Sequence, residues 1–267
     1  MIPSTFDYVA PTTVDEAVAA LAAAGEDAKV IAGGQSLMPV LRLRLAAPTV
    51  LVDIGRIDEL RGVREEGDTL VIGAMTTYYD LLREPLVGQH ALLLAEATRT
   101  VADPQIRHRG TLGGGLAHAD PAGPAGRRSI RVEEFFEDYF TTALHPDEIL
   151  VDVRVPKHTD WGARYEKFNR VAQAWSIVAV GATVKVDGGV IREARVALTN
   201  MASVPVRSRG VEDALVGQPA DAEVIRAAAE HAAEGTDPIS DGNGDAEYRS
   251  HLAKILTRRA VGSAVGA

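Results

Sequence analysis

The sequence predicts an α+β protein, and three observations carry that reading. At 267 residues with 46% hydrophobic side chains, the chain is long enough for two domains or one large one, and it can bury a sizeable core. Its first part mixes short apolar runs, helical patterns and two glycine runs, Ala32-Gly33-Gly34-Gln35-Ser36 and Thr111-Leu112-Gly113-Gly114-Gly115. Beyond residue 160, three strand-like runs precede three helical ones, the order expected of a separate α+β domain with a three-stranded sheet plus helices.

Taken in order, Thr13-Val14-Asp15-Glu16 is a capping-box pattern that opens an Ala-rich helix, which Gly25 closes. A strand over 28–31 runs into the first glycine run, and Val50 to Ile54 reads as a buried strand. Gly62 to Glu66 and Thr69 to Ala74 flank the turn Gly67-Asp68 as a hairpin. Helices are expected from Thr76 or Thr77 and from Leu86 to Thr100, then strands at Ser129 to Val132 and Ile149 to Val155. Between those strands, Phe135, Phe136, Tyr139 and Phe140 fall at near-helical spacing and read as core in preference to a ligand platform. The polar stretch from Pro156 to Gly162 marks a domain boundary. Strands follow at 164–171, 176–186 and 190–200, the last two joined by Asp187-Gly188-Gly189, and then helices at 211–216, 220–233 and 246–261.

Composition excludes several functions. A net charge of -9 with no block of Lys or Arg argues against nucleic acid; Arg42, Arg44, Arg107, Arg109, Arg127 and Arg128 are scattered. Cysteine is absent, which removes disulfides, thiolate nucleophiles and any iron–sulfur cluster ligated by this chain. The seven histidines show no metal-ligand spacing. No secretory signal and no stretch of membrane-span length is evident, which places the protein in the cytoplasm in expectation. The acidic pairs Asp15-Glu16, Glu65-Glu66 and Glu133-Glu134 occupy adjacent positions that face apart, so they read as solvated surface and no catalytic residue is assigned.

The glycine runs are the candidate site. Backbone without side chains turns sharply and aims successive N–H groups at one anion, and two such nests can grip a diphosphate from two sides. Each also carries a hydroxyl, Ser36 or Thr111. Neither run matches G-x-G-x-x-G or the P-loop, so a dinucleotide bound here is not in a Rossmann crevice.

Three motifs, Ala32-Gly33-Gly34-Gln35-Ser36-Leu37, Gln105-Ile106-Arg107-His108-Arg109-Gly110-Thr111-Leu112-Gly113-Gly114 and His118-Ala119-Asp120-Pro121-Ala122, together resemble the FAD-binding medium subunit of the molybdenum hydroxylases. That group includes xanthine dehydrogenase and, nearest here, aerobic carbon monoxide dehydrogenase. The likeness runs from Phe6 to Tyr248-Arg249 and Leu256-Thr257-Arg258-Arg259. It implies a vanillyl-alcohol-oxidase-type FAD fold over residues 1–160, with subdomains at about 1–55 and 56–160, followed by a smaller domain at 161–267. It further implies that Ala32, Gly33, Gly34, Gln35 and Ser36, with Thr111, Leu112, Gly113, Gly114 and Gly115, hold a non-covalent FAD. Lys29, Val30, Leu37, Ala102 and Asp120 would line it, with Leu150 and Lys167 near the isoalloxazine. Trp175 matches an aromatic position beside the flavin, or else is a core residue starting a strand, and both readings stay open.

The function implied is electron transfer inside a complex. A large subunit carries the molybdenum cofactor and a small one the [2Fe–2S] clusters; this chain passes electrons to an external acceptor such as a quinone. A dimer of heterotrimers, cytoplasmic or peripheral at the inner face of the membrane, is the implied assembly. A self-contained flavin oxidase and a flavin-less scaffold are the alternatives.

One departure from the family pattern stands out. After Asp120-Pro121-Ala122-Gly123 the family continues through an acidic residue, a helix and a strand, whereas here Gly123 meets Pro124-Ala125-Gly126-Arg127-Arg128 directly. Removing a helix and strand from a packed subdomain would bare Phe135, Phe136 or Tyr139 and leave a strand edge unpaired. The expectation is therefore a segment omitted from the sequence rather than excised from the protein. Intact-mass measurement checks this: a mass above the 28.3 kDa of these residues is expected, and 28.3 kDa would establish a true deletion.

Overall fold

The computed structural model describes residues 2–117 and 128–266. Asp120 and the Gly123-Pro124 junction lie outside them. Two compact units emerge, one from Met1–Glu84 with Pro104–Pro156, the other from Pro85–Asp103 with Lys157–Ala267.

The first unit begins with β1 (Asp7–Val9), α1 (Val14–Ala24), β2 (Ala28–Ile31), α2 (Leu37–Arg42) and β3 (Val50–Asp53), whose strands form a parallel sheet in the order β1-β3-β2. The Thr13 hydroxyl accepts from the Glu16 N–H and starts α1 as the sequence predicts. Glu16 in turn reaches back to the Thr12 N–H at 2.8 Å, and the Thr13 N–H adds to the lowering of its pKa. Ala17 and Leu21, one turn apart on α1, pack with Ala28, Val52, Ile54, Ile57, Leu60 and Met75. Strand β1 was not predicted, because its three residues are all exposed and leave no periodic trace.

Strands β4 (Val63–Glu66) and β5 (Thr69–Gly73) form the predicted hairpin. Leu70, Val71 and Ile72 are fully buried, as suits the middle strand of a sheet. Helix α3 (Tyr78–Arg83) starts at Thr77, whose hydroxyl accepts from the Asp80 N–H. The helix expected over 86–100 divides into α4 (Pro85–His90) and α5 (Leu92–Arg99), with Ala91 between them at φ -138°. Both belong to the second unit, although the sequence reading counts them within the first 160 residues. Back in the first unit come α6 (Pro104–Arg107), α7 (Leu112–Leu116), α8 (Val132–Phe135), the small hairpin β6 (Phe136–Asp138) and β7 (Thr141–Thr142), and β8 (Asp152–Pro156), which pairs with β5.

No strand forms at 129–132; the chain is irregular up to Arg131 and the single helical turn α8 begins at Val132. The core reading of the aromatic run is also corrected: Phe135 is buried, Phe136 half-buried, and Tyr139 and Phe140 are exposed at the hairpin turn. Phe140 there takes φ 54°, so the helical spacing has no helix behind it.

The second unit is built on an antiparallel sheet of β9 (Gly162–Phe168), β10 (Val178–Asp187), β11 (Val190–Thr199) and β12 (Val206–Arg207), ordered β12-β11-β10-β9. The predicted three strands thus gain a two-residue fourth, too short to show a pattern. Gly188 and Gly189, at φ 58° and 76°, make the two-residue turn between Asp187 and Val190. Helices α9 (Arg209–Leu215), α10 (Ala222–Ala229) and α11 (Ala246–Val265) cover one face, burying Val178, Val180, Ala182 and Val184. On the other face Gly181 leaves the space that Leu93 of α5 fills; a Cβ there would lie 3.4 Å from it. That contact ties segment 85–103 to this unit.

Two buried charges lock the helices to the sheet. Glu212 accepts from the Val196 N–H at 2.8 Å and from Arg207 at 2.6 and 2.7 Å. Arg249, with 0% of its surface exposed, donates to the Ile177 carbonyl and to Asp241 at 2.7 Å. The Asn243 N–H, together with Arg249, holds the Asp241 carboxyl down to a pKa of about 2. Arg249→Ala is expected to lower stability in denaturant unfolding, because it removes a fully buried side chain and the hydrogen bonds that hold the Ile177 carbonyl and Asp241. Since the Asp241 pKa is depressed on folding, its stabilisation is present above the ordinary 3.8 and is lost as pH falls toward 2. Asp241→Asn should flatten the stability–pH curve in that window.

Candidate functional site

The two glycine runs lie side by side within the first unit. A Cβ built on Gly33 would come within 2.1 Å of the Arg109 carbonyl oxygen and 3.0 Å of Gly110 Cα. A Cβ on Gly114 would lie 3.5 Å from that of Ala32. The backbones touch because no side chain intervenes.

They play different parts. In the second run, Thr111 caps α7 and the N–H groups of the four residues after it are spent inside the protein. Leu112 donates to the Thr76 carbonyl at 3.0 Å, Gly113 to Ala74 at 2.8 Å, Gly114 to the Thr111 hydroxyl at 3.1 Å and Gly115 to the Thr111 carbonyl at 3.0 Å. Leu112, Gly113, Gly114 and Gly115 therefore offer no open N–H donor to an anion in this structure. The glycines admit neighbours: Gly113 faces Ala74, and a Cβ on Gly115 would sit 2.2 Å from the hydroxyl of half-buried Tyr78, whose pKa desolvation raises.

The first run keeps its donors. Among the described residues, the N–H groups of Gly33, Gly34, Gln35 and Ser36 make no hydrogen bond to the protein. Gly34 takes φ 72°, the left-handed conformation that lets successive N–H groups converge. The Gln35 side chain donates to the Gly33 carbonyl at 3.1 Å and braces the turn. Ser36 stands at the start of α2 without capping it, leaving its exposed hydroxyl available. Four unspent donors around a left-handed glycine, with a hydroxyl beside them, suit a diphosphate.

Of the other expected residues, Lys29 and Val30 lie on β2, Leu37 opens α2, and Leu150 is half-buried just before β8. Ala102, Lys167 and Trp175 belong to the second unit. Ala102 takes φ 40°, an uncommon conformation for a residue with a Cβ. The Lys167 ammonium donates to the Thr100 carbonyl at 3.1 Å, and burial lowers its pKa. Trp175 is 77% exposed in the 169–177 loop, which removes the core reading. The sequence reading passed over a stack in which Tyr79 lies 3.9 Å from His108, with Arg83 over the same ring at 5.4 Å. It steadies the turn that presents Arg109 to Gly33; the histidine beside Arg109 was its one visible trace.

Residues 4–125 match the model of the FAD binding domain in molybdopterin dehydrogenase, and residues 163–264 that of the CO dehydrogenase flavoprotein C-terminal domain. The chain is a member of the FAD-binding medium subunits of the molybdenum hydroxylases. It is 41% identical to the carbon monoxide dehydrogenase medium chain of Hydrogenophaga pseudoflava, over 99% of this chain and 98% of that one. Their aligned length of 284 positions exceeds the 267 residues here, so the relative has residues without a counterpart. A solved carbon monoxide dehydrogenase from the same organism, lacking the Mo-pyranopterin moiety of its cofactor, matches at TM-score 0.94 and 42% identity, covering 100% of this chain and 99% of that one. Quinoline 2-oxidoreductase from Pseudomonas putida 86 matches at 0.93 and 33%, with the same coverage. This medium subunit is thus a flavoprotein component of an oxidoreductase, and FAD is its cofactor.

Because Gly33 is fixed by packing as well as by any ligand, Gly33→Ala should both lower stability, by about 1–3 kcal/mol from overpacking, and abolish flavin retention. Gly88→Ala, in open space on α4, should leave flavin unchanged and stability equal or higher by up to about 1 kcal/mol. Thermal melts and the flavin-to-protein absorbance ratio check both; full flavin in Gly33→Ala would remove the first run from the site.

Proposed function

We propose that this chain is the FAD-carrying electron-transfer subunit of a molybdenum/iron–sulfur hydroxylase complex, taking electrons from [2Fe–2S] clusters on a partner subunit and passing them to an external acceptor such as a quinone. The observation that carries the reading is the first glycine run, with unspent N–H groups braced against Arg109 and Gly110. The lack of cysteine supports the assignment of the clusters to a small partner subunit, with the molybdenum cofactor on a large one. Carbon monoxide is the proposed substrate of the complex, on the strength of the full-length likeness to the Hydrogenophaga chain. The proposed assembly is a dimer of heterotrimers in the cytoplasm, at most peripheral to the membrane; among the described residues no helix is long and apolar enough to cross one.

FAD supplies the redox chemistry when bound. In this reading Gly33, Gly34, Gln35 and Ser36 hold the diphosphate, while Thr111, Leu112, Gly113, Gly114 and Gly115 form a rigid wall behind Ala32. Lys29, Val30, Leu37, Ala102, Asp120 and Leu150 line the cofactor. Lys167, whose ammonium is held by the Thr100 carbonyl, would stabilise negative charge on the ring system, and Trp175 would offer it an aromatic face.

Acid precipitation of the purified protein should release FAD into the supernatant, since neither glycine run contains a Cys or His for covalent attachment. Lys167→Ala should keep its flavin but alter its reoxidation, and Lys167→Arg should restore the native behaviour in part. Flavin that stays in the pellet contradicts non-covalent binding. A chain purified without flavin favours the scaffold reading, and substrate turnover by the chain alone favours the self-contained oxidase.

A further inference from the structure

The motif Leu256-Thr257-Arg258-Arg259 carries two arginines that the flavin site does not use. Within the second unit, Arg164, Arg192, Arg195, Arg207, Arg226 and Arg249 each hold a carboxylate. Arg258 and Arg259 make no ion pair or hydrogen bond among the described residues. Both line an open, solvent-facing cavity of about 450 Å³ together with Ala222, Ile225, Gly262, Ser263 and Glu166.

Helix periodicity explains the cavity. Gly262 follows Arg258 by one turn of α11 and Ser263 follows Arg259 by one turn, so the two pairs line adjacent strips of the helix. A Cβ on Gly262 would meet nothing within 4 Å, so this strip of the helix is open. Ala222 and Ile225 of α10 give an apolar wall. The first N–H groups of α10 are already taken by Asp221, so the helix end contributes nothing. Glu166 of β9 has its carboxylate held by Arg164 at 2.8 Å and remains an acceptor on the cavity wall.

We propose that this cavity binds a small organic anion of carboxylate or phosphate type, gripped by Arg258 and Arg259 with the Ser263 hydroxyl as a third donor. Guanidinium forks match planar carboxylates and phosphates in bidentate geometry. The apolar wall and the Glu166 acceptor favour a ligand that also carries a short carbon skeleton and a hydroxyl, as a hydroxy acid does.

The test is calorimetric titration of the assembled, FAD-containing complex with malate and with inorganic phosphate, at constant ionic strength set by sodium chloride. One saturable site per chain is expected, weakened at least ten-fold in Arg258→Ala/Arg259→Ala and several-fold in Ser263→Ala, with flavin content unchanged in both. The lysine pair Arg258→Lys/Arg259→Lys keeps charge and helix and should bind more weakly than the native protein. Absence of saturable heat with both probes, or undiminished binding in the double alanine variant, would overturn the proposal. So would binding that the isolated chain shows and the complex lacks, since the arginines would then serve acidic side chains of a partner subunit.

Discussion

The first unit depends on one close approach, that of Gly33 to the carbonyl of Arg109. Any side chain at residue 33 would separate the two runs and remove the support behind the one that keeps its donors. That contact permits a division of labour. The second run spends its N–H groups on Thr76, Ala74 and Thr111 and becomes rigid, and the first, backed by it, can leave four N–H groups unspent. A buried backbone donor without a partner costs about 1–3 kcal/mol. Donors held together in that state make sense in a half-buried turn that solvent or a ligand reaches.

Both runs were visible in the sequence, but their roles were not. In each, glycines follow one another beside a hydroxyl residue, and composition cannot separate a glycine that frees φ from one that admits a neighbour. Gly34 is of the first kind, at φ 72°; Gly33, Gly113 and Gly115 are of the second. The difference lies in what stands opposite, Arg109, Ala74 or the Tyr78 hydroxyl, and those partners are set by the tertiary fold. Elements with strong local signals, such as the capped helix after Thr13 and the hairpins at Gly67-Asp68 and Gly188-Gly189, formed where the pattern put them. The aromatic run misled because near-helical spacing at 135–140 was read without a helix start or stop, and a two-strand hairpin uses the same residues.

The second unit shows how an acidic chain places its cations. Most of its arginines neutralise neighbouring carboxylates, and the two most buried pairs do structural work: Glu212 ties α9 to β11, and Arg249 ties α11 to the start of β10 at Ile177. Asn200 donates to the carbonyls of Ser176 and Ile177 as well, so the end of the loop carrying Trp175 is fixed from two directions. An exposed tryptophan on a loop anchored in this way loses less freedom on meeting a ligand than one on a free loop, because part of the ordering cost has been met in folding.

Strand β10 explains why the units are interleaved along the chain. Seven successive residues, Val178 to Val184, are buried, which a strand with one solvated face does not allow. The face with Val178, Val180, Ala182 and Val184 is apolar and covered by helices that follow it in sequence. The other face, Ala179, Gly181 and Thr183, is small, and a small surface is buried only when something packs close against it. Leu93 does so at Gly181, from a helix that precedes the last third of the first unit in the chain. The sheet of the second unit is therefore incomplete until a segment synthesised some 80 residues earlier has been set aside for it. A boundary drawn at residue 160 from polarity and turn residues divides the sequence but not the packing, because the residue that decides the matter is a glycine inside a strand.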